Sequence, residues 1–209
     1  MVVAKVVRVA VPAWRAAFED WASGAPAASH PPTPAEGRAI RVVDRPGAEQ
    51  STLFVGRPVP DPTQPDYVAL EVTNALLGGS FHSRITMNIR EQRGYTYSPH
   101  GIVSARPHDA HWIEIADVTT EVTGAALTEI FSEIERLRTE APPEDELVGI
   151  QNYAAGSFVI RQATPGGILD HLEFLDLHGL DAGYSARYVD RVRAVTPDEV
   201  RRKIGRAHV

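Results

Sequence analysis

The chain has 209 residues, with 21 Lys and Arg against 27 Asp and Glu and a formal net charge of −6. At 43% hydrophobic and 23% charged it has the apolar content for a packed core, which excludes the disordered and fibrous classes. The mildly acidic balance, with basic residues scattered, offers no field to a nucleic-acid backbone or an anionic membrane. Cysteine is absent, which removes disulfides, thiolate zinc sites, iron–sulfur clusters and cysteine nucleophiles, so a metal would need His and carboxylate ligands. The opening apolar run over residues 2–11 is broken by Lys5 and Arg8 and falls short of the roughly 18 residues of a membrane span. It also lacks the pattern of a secretion signal, which leaves bacterial cytoplasm and periplasm both open.

Val-rich residues 2–11 predict a strand. Pro12 then opens a helix over residues 13–21, with Trp14, Phe18 and Trp21 at helical spacing. Residues 22–37 have the Ala, Pro, Ser and Gly composition of a linker, and a domain boundary is expected there. A strand near residues 38–44, a turn at Arg45-Pro46-Gly47 and a strand at residues 51–55 read as a hairpin. A helix over residues 66–77 stops at Gly78 and Gly79, and a short one over residues 82–92 stops at Gly94. Residues 95–105 and 111–118 read as antiparallel strands around a turn at 107–109. The helix over residues 122–138 carries Ala126, Leu127, Ile130, Phe131, Ile134 and Leu137 on one stripe. Pro142-Pro143 opens a helix reaching about Arg161, and three more follow, over residues 167–178, over residues 182–194 and after Thr196-Pro197. In the last, Thr196 is placed as the N-cap and Pro197 at the first helical position. Antiparallel strands followed by clustered helices predict an α+β fold, a sheet with helices packed on one face.

The stretch Asn74-Ala-Leu-Leu-Gly-Gly-Ser-Phe-His-Ser-Arg-Ile-Thr-Met-Asn-Ile-Arg-Glu-Gln-Arg-Gly-Tyr-Thr-Tyr97 resembles the M16 peptidases, the group of pitrilysin, insulinase and the mitochondrial processing peptidase. A Leu-Gly-Gly break, a Ser-Arg-hydrophobic helix start and Arg-Glu-x-x-Gly-Tyr-x-Tyr occur in order. The flanks, residues 43–51 and 194–200, agree, and the likeness covers roughly residues 38–203. The resemblance implies the second, metal-free domain of that family, a two-layer α/β sandwich spanning residues 38–209. Residues 1–21 then resemble the tail of a preceding domain, joined through a linker at 22–37. The absence of the valine-rich strand that usually follows the Val-Thr-Pro helix suggests either a fragment of a two-domain protein or a short natural subunit. On that reading residues 2–10 are expected to dock on the exposed sheet edge.

In that family the zinc domain carries His-x-x-Glu-His. Of the eight histidines here the nearest miss is His111-Trp-Ile-Glu114, where Ile115 stands in place of the second His and the segment reads as a strand. The resemblance therefore implies no cofactor in this chain, zinc in a partner domain or subunit, and no peptidase activity alone. What remains is the holding of extended peptide to complete the partner's chamber. Family members with an arginine and tyrosine in this role space them seven residues apart, as Arg90 and Tyr97 are. An alternative register selects Tyr95, whose partner position is Asn88. Tyr95 would share a strand face with Tyr97. Arg84 is a weaker candidate, on a helix face with Asn88 and Glu91 and opposite Ile85 and Ile89.

Plainer readings stand beside these. Tyr95 and Tyr97 could cover the core, and Arg84 and Arg90 could be structural ion-pair residues. Gly78, Gly79 and Gly94 read as backbone punctuation rather than a phosphate cradle. His108, His111 and Glu114, or His171 with His178, could chelate a metal, but scattered histidines are commoner. Ser80 and Ser83 near His82 lack the third member of a hydrolase triad. The rival function is a proteolytically inactive assembly scaffold of the same family, and a homodimer is a further partner left open.

Overall fold

The computed structural model describes residues 11–25, 37–107 and 109–205 and divides into two units, residues 1–30 and 31–209. In the first unit, residues 11–18 form a helix, α1. Phe18 lies 6.2 Å from Trp14 and edge-on to Trp21 at 4.9 Å, and all three rings are exposed. Apart from Val11, which begins α1, the strand expected over residues 2–11 and its docking on a sheet edge lie outside the described residues. So do residues 26–36 of the expected linker.

Among the described residues, the second unit is built on a three-stranded antiparallel sheet of β1 (Gln50–Pro58), β2 (His100–Arg106) and β3 (Asp109–Thr119), ordered β1-β3-β2. Along β3, Ala110, Trp112, Glu114, Ala116 and Val118 are buried while the intervening residues are more open, so one face of the sheet is covered. The cover comes from α2 (Tyr67–Asn74), prolonged by the π-helical turn Ala75–Gly79, and from α3 (Thr123–Thr139). After α3 come α4 (Glu144–Arg161), α5 (Pro165–Leu177), α6 (Gly183–Ala194) and α7 (Pro197–Gly205). A core of Val68, Val72, Leu76, Leu77, Ile85, Ile89, Val118, Ile130 and Leu137 runs between sheet and helices, the α+β arrangement expected.

Helix starts follow the chemistry of their caps. Before α7, Thr196 and Glu199 bond reciprocally: Glu199 N donates to Thr196 Oγ1 at 3.3 Å and Thr196 N to Glu199 Oε2 at 2.9 Å. The same logic begins α5 two residues earlier than expected, because Thr164 Oγ1 accepts from Gly167 N at 3.0 Å with Pro165 in the first turn. On α3, Ala126, Ile130, Ile134 and Leu137 are buried as expected, but Phe131 is 54% exposed, so the buried stripe is narrower.

Two strand expectations need correction. Residues 38–44 form no strand: the turn at 45–48 exists, with Ala48 N bonded to Arg45 O at 3.1 Å and Gly47 at φ 81°, but β1 pairs with β3 instead. Ile40 and Val42 are 94% and 86% exposed, and strand propensity has no effect without a neighbouring strand and a surface to cover. The strand expected from residue 95 begins only at His100; before it, Thr96 makes a lone bridge to Val118. Pro99, which has no N–H to give a ladder, marks the start.

The covered face holds a buried polar cluster. Trp112 Nε1 donates to Asn74 Oδ1 at 2.9 Å, and Asn74 Nδ2 donates to the Gly101 carbonyl at 3.1 Å. Beside them Glu114 is 1% exposed, and neither carboxyl oxygen has a hydrogen-bond partner among the described residues. Its room comes from two glycines: a Cβ at Gly78 would overlap Glu114 Oε2, and one at Gly101 would lie 2.8 Å from it. Burial pushes Glu114 up to about 8. Glu71 on α2 is pushed up to about 7 by burial, against a hydrogen bond from Tyr188 and the charges of Arg161 and Arg191.

Gly78→Ala is expected to destabilise the protein by about 2–3 kcal/mol, because the added methyl and the Glu114 carboxyl claim the same space. In a denaturation double-mutant cycle Glu114→Ala should recover part of that loss. Between about pH 5 and 8 native Glu114 keeps a proton that the unfolded chain, with an ordinary carboxylate pKa near 4.3, has released. Stability should therefore fall as pH rises through that window. Glu114→Gln should lessen the fall, measured as melting temperature against pH, with a residual slope from Glu71.

Candidate functional site

After the Leu76-Leu77-Gly78-Gly79 turn the chain goes extended at Ser80, with φ −126° and ψ 162°, and sets Phe81 on the surface at 58% exposure. Ser83 N returns to Ser80 O at 3.1 Å and Ser83 Oγ donates to Thr86 Oγ1 at 2.9 Å, starting a helix over residues 84–92 whose part Thr86–Gln92 is π-helical. Ile85 and Ile89 are fully buried, as their spacing predicted. The helix ends at Gly94, φ 65°, with Gly94 N bonded to Arg90 O at 3.0 Å and Tyr95 N to Ile89 O at 2.8 Å. Only glycine takes that left-handed conformation without strain.

This geometry brings Arg90 and Tyr97 together. The Arg90 guanidinium carbon lies over the Tyr97 ring at 5.2 Å and over the Phe81 ring at 4.4 Å. Tyr97 is 81% exposed, and the Arg90 side chain is 22% exposed. Its ion-pair partner among the described residues is Glu91, at 3.4 Å from Nη1. Cation–π attraction fixes the guanidinium without using an oxygen acceptor, so N–H donors remain beside an exposed phenol. Such a pair can donate to peptide carbonyls or carboxylates.

The other expected residues are placed differently. Arg84 is 8% exposed, with Nε and Nη2 donating to the two carboxylate oxygens of Glu146 on α4 at 2.8 and 2.6 Å. Asn88, expected on an open face with Arg84, is also buried and donates to Glu129 and Glu133 on α3 at 3.1 and 2.8 Å. Arg93 completes the clamp, bonding Asn88 Oδ1 at 3.0 Å and pairing with Glu129 at 2.7 Å. Tyr95 packs partly buried against the core with Arg93 over its ring at 6.0 Å. Outside a regular strand, Tyr95 and Tyr97 do not present one face, contrary to the expectation. Phe81 is the member that sequence reasoning missed; its signal was an aromatic two residues after the double-glycine break.

Among the described residues, those weighed as metal ligands are not gathered into a group that could hold an ion. His111 and Glu114 sit on opposite faces of β3, with Glu114 inside, and His108 lies outside the described residues. His171 Nε2 is 2.6 Å from Ser185 Oγ, and its ring packs against Phe158 and Phe174. His178 packs on Phe174 at 4.9 Å. Both histidines belong to the aromatic contact of α4, α5 and α6.

Residues 2–153 match the model of the peptidase M16 inactive domain, a range that takes in residues 2–21 as well as the motif stretch. An uncharacterized zinc protease of Streptomyces coelicolor is 26% identical over 193 residues, covering 90% of this chain and 42% of that protein. The crystal structure of a peptidase M16 inactive domain from Pseudomonas fluorescens superposes with a TM-score of 0.69 at 21% identity, over 76% of this chain and 38% of that one. An inactive peptidase domain from Bordetella parapertussis gives a TM-score of 0.66 at 17% identity, covering 79% of this chain and 90% of its own. This chain thus spans well under half of the first two relatives. The motif stretch, the α+β sheet-and-helix architecture and a model match over most of the chain agree, and the chain belongs to the peptidase M16 inactive-domain family.

Proposed function

We propose that this chain holds substrate for an M16-type zinc metalloendopeptidase, binding extended peptide and completing the chamber of a separate domain or subunit that carries His-x-x-Glu-His. The observation that carries the reading is the Arg90 guanidinium fixed over the exposed Tyr97 ring at 5.2 Å. Arg90 donates to peptide carbonyls or carboxylates, and the Tyr97 hydroxyl anchors backbone or stabilises developing oxyanion charge. Among the described residues strand β2 is an edge of the sheet and starts three residues after Tyr97, so a peptide added there as a strand would pass beside the pair. Zinc, held by the His-x-x-Glu-His residues of that partner, would supply the activation of water. Tyr95 is a secondary contact at the margin. Arg84 supports the site from beneath through Glu146 rather than touching peptide.

The test is peptide hydrolysis by a His-x-x-Glu-His partner domain mixed with this chain. Arg90→Ala and Tyr97→Phe are each expected to lower kcat/KM about 10- to 100-fold, the loss of one charge-assisted hydrogen bond of about 1.5–3 kcal/mol. Arg84→Ala should act first on melting temperature, since it strands Glu146. A stable complex whose hydrolysis ignores both Arg90 and Tyr97 would overturn this reading in favour of an assembly scaffold.

A further inference from the structure

Phe81 is 58% exposed, one of several large apolar side chains left open, and its ring approaches Arg90 more closely than Tyr97 does, 4.4 Å against 5.2 Å. The backbone that presents it is fixed on both sides, by the glycine turn over Glu114 before it and by the Ser80–Ser83 turn after it. Contact with two rings removes water from the guanidinium and limits its rotation, and neither ring consumes a hydrogen-bond donor. A planar fork so held pairs best with a group of matching shape and opposite charge, which is a carboxylate.

The chain itself places a carboxylate there. Glu91 Oε1 lies 3.4 Å from Arg90 Nη1, and the Glu91 side chain is 44% exposed. That separation exceeds the ~2.7–2.9 Å of a tight charge-assisted bond. It marks an accessible edge of the guanidinium and a partner that a ligand can displace. The neighbouring cation Arg93 is turned toward Asn88, Glu129 and the Tyr95 ring.

We infer that Phe81 is a positioning residue which, with Tyr97, holds Arg90 to select peptides bearing a carboxylate at this point, an acidic side chain or a free C-terminus; the inference rests on the peptide-holding function proposed above. Three fluorescent peptides of one sequence separate the two sources: glutamate with an amidated end, glutamine with a free end, and glutamine with an amidated end. Binding to this chain is read by anisotropy at low and high salt. One of the two carboxylate peptides is expected to bind about tenfold more tightly than the neutral one, with the preference weakening in salt.

Phe81→Ala should erase that preference with melting temperature nearly unchanged, and Phe81→Tyr should retain it. Preference that persists in Phe81→Ala overturns the positioning role. Equal binding of all three peptides, lost together in Arg90→Ala, overturns carboxylate selection while leaving peptide holding intact. Binding of none of the three overturns both.

Discussion

The close approach of the Ala75–Gly79 turn to the sheet governs the rest of the structure. At Gly78 and Gly101 there is no side chain to keep backbone from β3, and the space a Cβ would take is filled by the Glu114 carboxyl. Asn74 ties the same layers by bonding Trp112 on β3 and the Gly101 carbonyl on β2. A carboxyl buried without a partner is costly when ionised, and it is sustained here by keeping its proton. The cluster sets the angle at which the chain leaves the turn, and hence where Phe81 emerges.

From that exit the helix over residues 84–92 is fixed on two further sides. Ile85 and Ile89 fill the core, while Arg84 and Asn88 reach α4 and α3 through Glu146, Glu129 and Glu133. A charge pair this buried contributes more to register than to net stability, because desolvation offsets much of its attraction. With three faces of the helix occupied, Arg90 faces the open side, and the left-handed turn at Gly94 brings Tyr97 back to it. The site is a partly buried cation beside an exposed phenol on a rigid frame.

Much of the helical half was legible because its signals are local. The bounds of α4 follow from Pro143 and the acidic first turn, and the Thr196-Pro197 start of α7 is a capping box. Arg90 with Tyr97 was legible through motif spacing. The strand expected at residues 38–44 misled because valine content reports fitness for a covered pleat and not the existence of a neighbour. Arg84 and Asn88 misled because one apolar stripe implies a polar surface opposite, whereas here α3 and α4 close over that surface too.

By itself the sequence determined the class of fold and the family motif, and set Arg90 seven residues before Tyr97, since periodicity, caps and spacing are written within a few turns of chain. The tertiary structure decided that Arg84 is buried on Glu146 while Arg90 lies over the exposed Tyr97 ring, that Phe81 joins it, and that Glu114 is sealed under two glycines. Those outcomes depend on which elements meet across long separations: Arg84 and Glu146 are 62 residues apart and Asn74 and Trp112 are 38. A side chain's role there is set by the neighbours that fold over it.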